Sequence, residues 1–183
     1  VLFVRHATTP GMRAGCFPAD EDADAASLTR AAASGPVEAP AAWAAPGRAA
    51  RQTAAAMGLA ARVVPALAEA DCGRWRGLPY GRVALEEPDA LASWLADPHA
   101  APHGGESLSA LAARVAGWLD AARDEPRAVV VCDAGVIRAA LGHVLGLDPL
   151  RAARFDLAPL STTELTVARD GWRVVHVNRK AES

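Results

Sequence analysis

The sequence predicts an α/β protein with a mostly parallel sheet. Three observations carry that expectation. Val1–Val4 and Ala128–Cys132 are short, continuous apolar runs rich in β-branched residues, the pattern of strands buried on both faces. Segments of helical periodicity lie between and after them. Two late β-rich runs, Glu164–Ala168 and Trp172–Val177, are joined by Asp170-Gly171, which reads as a hairpin turn.

Taken in order, Val1–Val4 ends in the polar stretch Arg5-His6-Ala7-Thr8-Thr9-Pro10. Residues 11 to 47 are rich in Gly, Pro, Ala and acid and read as a long loop with room for one short helix and a strand near Trp43. Arg48–Leu59 follows Pro46-Gly47 and is built from strong helix formers. Arg62–Val64 is a short strand candidate. Residues 66 to 82, punctuated by Gly73, Gly77, Pro79 and Gly81, read as loop rather than core. Pro88–Ala96 reads as a helix with Leu91, Trp94 and Leu95 on one face. Leu108–Ala122 is the strongest amphipathic segment, with Leu108, Leu111, Val115, Trp118 and Leu119 at helical spacing and Ser107 placed to cap it. Val136–Leu145 follows the strand that ends at Cys132 and Asp133.

Composition narrows the function classes. The 183 residues suit one domain, 1–183. Lys plus Arg total 19 against 21 for Asp plus Glu, a formal charge of −2, so the basic excess that nucleic-acid and anionic-membrane binders need is absent. Hydrophobic residues make up 51%, much of it Ala, which excludes a disordered chain. Cys16, Cys72 and Cys132 have no CxxC spacing and are odd in number, which argues for a reduced compartment rather than a disulfide framework or cysteine zinc site. With no apolar run of about 18 residues and no basic-then-apolar leader, the expectation is a cytoplasmic protein.

The chemistry is expected where strands end, because ligands of open α/β sheets sit outside the carboxyl ends of the strands. Arg5-His6 and Asp133 occupy two such ends. A lone histidine is more often a packing residue, yet a polar Arg-His pair directly after a four-residue apolar strand favours a site. Other histidines read more plainly. His99 and His103 lie in a Pro-broken loop that does not face them together as metal ligands, and His143 and His176 read as packing or surface groups. Arg74, Arg76 and Arg82 around Trp75 and Tyr80 are a candidate clamp for a substrate's anionic tail, or a solvated loop.

Five motifs then fall in one order. Val4-Arg5-His6-Ala7-x-Thr9 resembles an RHG-x-T signature, and Pro46 to Ala54 resembles SPLxRAxQTA. Leu67-Ala68-Glu69 with Gly73-Arg74-Trp75-Arg76-Gly77 resembles L-x-E…G-x-W-x-G. Gly105-Glu106-Ser107 with Arg114-Val115 resembles GES…RV, and Val130 to Arg138 resembles VVSHGGVIR. Together they resemble the histidine phosphatase superfamily, the phosphoglycerate-mutase-like proteins, over nearly the whole chain. That resemblance implies a three-layer αβα sandwich and a small phosphorylated molecule as substrate, with no metal or other cofactor. It implies His6 as the nucleophile that becomes phosphohistidine, Arg5 as a phosphate fork and Glu69 as the acid for the leaving oxygen. Thr9 belongs to the same phosphate-binding motif.

The chain departs from that pattern at three positions. The second family Arg falls on Ala49, the second His on Asp133, and the glycine after the first His on Ala7. Arg48 and Arg51 flank the empty Arg position and are candidates to reach inward. An ionised Asp133 would repel a phosphoryl charge by about 4 kcal/mol at 4 Å and an effective dielectric of 20, and one lost donor costs about 2.7–4 kcal/mol of barrier. Four outcomes stay open at this point: a phosphatase with an atypical site, a binding protein without turnover, a His6–Asp133 pair acting as a general base, and Asp133 neutralised by Arg5.

Overall fold

Phe3 and Val4 are buried at the centre of the first strand, β1 (Leu2–Arg5), as the apolar run demands. A computed structural model of the chain describes residues 1–34, 39–125 and 127–180. After β1 come α1 (Pro10–Ala14) and α2 (Ala25–Ala33), then β2 (Ala41–Ala44), α3 (Arg48–Ala56) and β3 (Arg62–Val63). Two single 3-10 turns, Pro65–Leu67 and Gly73–Trp75, lead to α4 (Tyr80–Glu86) and α5 (Pro88–Ala96). The chain continues through α6 (Leu108–Ala121), β4 (Ala128–Cys132), α7 (Ala134–Leu145), α8 (Pro149–Ala152), β5 (Thr162–Ala168) and β6 (Gly171–Arg179).

The six strands form one sheet in the order β3-β2-β4-β1-β5-β6. The first four are parallel, and β5 and β6 run antiparallel at one edge. Helices flank this sheet in an αβα sandwich. β4 lies between β1 and β2, which explains why all five of its residues are buried and apolar. On α6, Leu111, Val115 and Leu119 face inward, and Trp118 sets its ring edge-on against Phe3 and Trp43. Fully burying side chains of this size contributes about 1.5–3 kcal/mol each, so this seam anchors α6 to the sheet. Ser107 caps α6 by accepting from the Ala110 N–H at 3.1 Å. Among the described residues no helix is long and apolar enough to cross a membrane.

Three segments differ from expectation. Residues 11 to 47 hold two helices rather than one. α2 shows little periodicity because only Ser27 and Ala31 of its nine residues are buried, and α1 is a single turn held by its cap. Residues 35–38, within the stretch before Pro46, lie outside the described residues. Residues 66 to 82 are not mere loop: Leu67 and Trp75 are wholly buried, and Trp75 heads a second small core with Phe17, Cys72 and Val83. Glycines make that packing feasible, since a Cβ on Gly105 would overlap the Asp71 carbonyl where the two loop backbones meet. Leu95 is exposed, so α5 turns Ala90, Leu91 and Trp94 inward toward that small core.

Candidate active site

Parallel register builds the site. Arg5 pairs with Cys132 across β1 and β4, so the next residues, His6 and Asp133, leave the sheet side by side. The His6 N–H donates to the Cys132 carbonyl at 2.9 Å, fixing the last step of β1. Asp133 begins α7 as its N-cap, and its Oδ1 accepts from the Ala134 N–H at 2.5 Å. A cavity of about 1220 Å³ opens at these strand ends, with Arg5, His6, Thr9, Glu69, Asp133 and Arg138 among its walls.

His6 is buried and held at both ring nitrogens. Nδ1 donates to the Ala7 carbonyl at 2.7 Å, because a carbonyl can only accept. Nε2 faces Asp133 Oδ2 at 3.2 Å. With Nδ1 already carrying a proton, a favourable contact from Nε2 to a carboxylate requires a second proton, so the resting pair is imidazolium and carboxylate. Burial is the largest influence on His6 and opposes its charge, but the hydrogen bond and charge of Asp133, with the Ala7 carbonyl, outweigh it and raise the His6 pKa. Burial likewise pushes Asp133 upward, yet His6, the Ala134 N–H and Arg5 together hold it well below the usual carboxylate range. The structure thus brings the His6 and Asp133 side chains into direct contact.

The peptide that positions the imidazole is itself supported. The Ala7 N–H donates to Thr53 Oγ1 at 2.9 Å, and that hydroxyl donates onward to the Ala49 carbonyl at 2.6 Å. Thr53 on α3 thereby sets the orientation of the carbonyl that orients His6.

Glu69 enters from the loop after the first 3-10 turn. One carboxylate oxygen accepts from the Ala70 N–H at 2.7 Å and the other from the Gly135 N–H at 2.9 Å. A Cβ at Gly135 would overlap that carboxylate, so a larger residue there would displace the end of the Glu69 side chain. Burial, then the charge of Asp133, pushes the Glu69 pKa up to about 7, which leaves a carboxylic acid available near neutral pH. The loop carrying Glu69 is clamped from α6: Arg114 forks onto Glu106 and donates to the carbonyls of Ala66 and Ala68 at 2.8 and 3.0 Å.

The other sequence candidates fall as follows. The Arg5 guanidinium lies at the cavity wall and donates to the Leu157 carbonyl, while its buried Nε has no partner among the described residues. Thr9 is buried at the cavity wall, where Oγ1 accepts from the Met12 N–H at 3.3 Å as the cap of α1. Arg48 borders the cavity, but its guanidinium is spread over Asp20 and Asp22. Arg51 is exposed and lines a separate shallow groove with Ala54, Leu59 and Val63, so the structure does not bring it to His6. Ala49 lines the cavity wall without a cation of its own. In the aromatic loop, Arg74 pairs with Glu87 and Arg82 with Glu86; only Arg76, paired with Asp71, reaches the cavity wall. His103 is buried edge-on against Trp75, and its Nδ1 accepts from the Gly105 N–H, which gives it a structural task. His99 is exposed, and His143 pairs with Asp120 on the surface.

Sequence reasoning missed Arg138. It projects from α7 into the cavity wall with Nε donating to the Phe155 carbonyl at 2.9 Å, and its charge acts on Arg5 and Glu69. The signal was a lone arginine in the apolar first half of a helix, five residues after Asp133. Phe17, Tyr80 and Trp94 form an aromatic wall on the same cavity, with Phe17 and Tyr80 ring centres 4.0 Å apart. Their separation in sequence hid that wall.

Comparisons with known proteins converge on one family. A curated relative, glucosyl-3-phosphoglycerate phosphatase of Mycobacterium tuberculosis, is 42% identical over 57 residues, which are 31% of this chain and 26% of the relative. The matched part therefore spans about a quarter of that relative's length. A solved structure of mycobacterial glucosyl-3-phosphoglycerate phosphatase in complex with VO3 superposes with a TM-score of 0.84 at 26% identity, covering 98% of each chain. The α-ribazole phosphatase of Shigella flexneri shares the fold, with a TM-score of 0.84 at 18% identity over 100% of this chain and 98% of that one. The model of the histidine phosphatase superfamily (branch 1) matches residues 1–180, and the chain belongs to that superfamily.

Proposed function

We propose that the chain hydrolyses a small phosphomonoester through a phosphohistidine at His6. The observation that carries this reading is the convergence of four side chains in one cavity. His6 has its Nδ1 fixed on a backbone carbonyl so that Nε2 faces the cavity. Glu69 is held protonatable near pH 7, and the guanidinium groups of Arg5 and Arg138 line the same wall. In that arrangement Nε2, once its proton has passed to a phosphoryl oxygen, attacks phosphorus, the two guanidinium groups bind phosphoryl oxygens, and Glu69 protonates the leaving oxygen. Water then attacks the phosphoimidazole with Glu69 as base. The likeness to a phosphatase solved in complex with VO3 supports a phosphoryl group as the substrate's reacting part.

A second reading, a family member that binds an anion without turning it over, is favoured by one contact. Asp133 Oδ2 occupies the approach to Nε2 that phosphorus would take. Hydrolysis of an aryl phosphate by the wild-type chain and by His6→Ala separates the two. His6-dependent turnover supports the phosphatase, and its absence alongside retained phosphate binding supports the second reading.

A further inference from the structure

We propose that Asp133 makes this site selective for a protonated phosphoryl group, whose P–OH donates a hydrogen bond to the Asp133 carboxylate. The inference rests on the proposed placement of phosphorus at His6 Nε2. Asp133 Oδ2 is 3.2 Å from Nε2, so any phosphorus that approaches this nitrogen brings an oxygen against that carboxylate. Oδ1 is engaged by the Ala134 N–H, which fixes the carboxylate at the head of α7, and among the described residues Oδ2 has no other donor than His6. A carboxylate accepts but does not donate. Two unprotonated oxygens forced together there repel, whereas one proton between them makes a charge-assisted hydrogen bond.

The groups around Asp133 leave that proton available. From β1 and the residue after it, Asp133 faces Arg5 and His6; from the loop after the first 3-10 turn, Glu69 and Cys72; Cys132 precedes it, and Tyr80 of α4 and Arg138 of α7 complete the titratable and charged surroundings. A monoanionic ester arriving at neutral His6 and a dianionic ester arriving at the imidazolium contain the same protons. In the second case the Nε2 proton passes to a phosphoryl oxygen, and that P–OH turns to Asp133. The freed Nε2 lone pair bonds to phosphorus as the bond to the leaving oxygen breaks, and the Glu69 proton ends on that oxygen. The carboxylate that blocks a bare dianion thus becomes the acceptor that admits a protonated one.

Inorganic phosphate and sulfate are the probes, because sulfate has the same shape but no proton to donate near neutral pH. Isothermal titration of the wild-type chain with each anion, below and above the second ionisation of phosphate, reads the selectivity. Asp133→Asn keeps the helix cap and supplies a donor. The expected result is phosphate bound at least about tenfold more tightly than sulfate, a difference of about 1.4 kcal/mol, with the advantage kept at the higher pH, where HPO4²⁻ still carries one P–OH, and vanishing in Asp133→Asn. Equal binding of the two anions by the wild-type chain, a ratio that survives in Asp133→Asn, or no binding of either anion overturns the proposal. The phosphatase reading stands apart from this result, since it is decided by His6-dependent turnover.

Discussion

His6 Nε2 and Asp133 Oδ2 lie 3.2 Å apart at the ends of two strands paired in parallel register, while Nδ1 of the same ring donates to the Ala7 carbonyl. This contact makes the His6 imidazole the cationic half of an ion pair at rest. The His6 pKa therefore lies above its ordinary value of 6.5. Replacing Asp133 with Asn removes the charge that outweighs burial, and the His6 pKa should then fall. Imidazole chemical shifts followed across a pH titration check both directions. A His6 that titrates identically in the two proteins would show that the pair does not form in solution.

Glu69 is held up to about 7 by burial and by the neighbouring Asp133 charge. It is protonated below that value and loses its proton as pH rises through it, so kcat on an alkyl phosphate should decline on the alkaline side. Glu69→Gln should lower kcat by about 10²–10⁴ and flatten that decline. The loss should be smaller on an aryl phosphate, whose leaving oxygen needs less help. The pair of pH profiles is the measurement.

Gly135 supplies a second route to the same group. A methyl at this position overlaps the Glu69 carboxylate, yet alanine suits the first turn of α7. Gly135→Ala should retain the melting temperature to within a few degrees and reduce alkyl phosphate turnover nearly as far as Glu69→Gln does.

Thr53 links α3 to the His6 ring through the Ala7 peptide. Thr53→Val leaves a buried N–H without an acceptor, at a cost of about 1–3 kcal/mol. Thermal unfolding should register that loss. The reoriented Ala7 carbonyl should also lower kcat more than it raises KM, because the ring is displaced rather than the phosphate forks.

Ala49 and Asp133 stand where the family pattern places Arg and His. Ala49 lines the cavity at the first turn of α3. Ala49→Arg combined with Asp133→His should raise kcat/KM on a generic aryl phosphate by at least about 10², the worth of one preorganised donor. A double variant no faster than the wild-type chain would show that these two positions do not limit the rate.

How much of this was legible in the sequence differs by residue. β1 and β4 announced themselves as apolar runs, and their ends announced Arg5, His6 and Asp133, because burial on both faces leaves only the strand ends free for polar groups. α6 was plain from Leu111, Val115 and Leu119 at helical spacing. α2 was not, since a helix that buries only Ser27 and Ala31 leaves almost no apolar stripe. Trp75 looked like a loop residue because its packing partners, Phe17 and Val83, come from either side of a glycine-rich segment. The tasks of Arg114 and Arg138 depend on backbone carbonyls brought near by the fold, at Ala66, Ala68 and Phe155, and carbonyls carry no mark in a sequence. Arg51 illustrates the converse: adjacency to Ala49 in the chain turned it away from the cavity, as neighbours on a helix face different ways.

The most direct measurement is acid-free quenching during turnover of a phosphomonoester, followed by mass spectrometry of the peptide that contains His6. The account predicts one phosphoryl group on His6 during the steady state, none in His6→Ala, and accumulation in Glu69→Gln with an aryl substrate, where water lacks its base. Turnover that proceeds in His6→Ala at the wild-type rate, with His6 never phosphorylated, would contradict it.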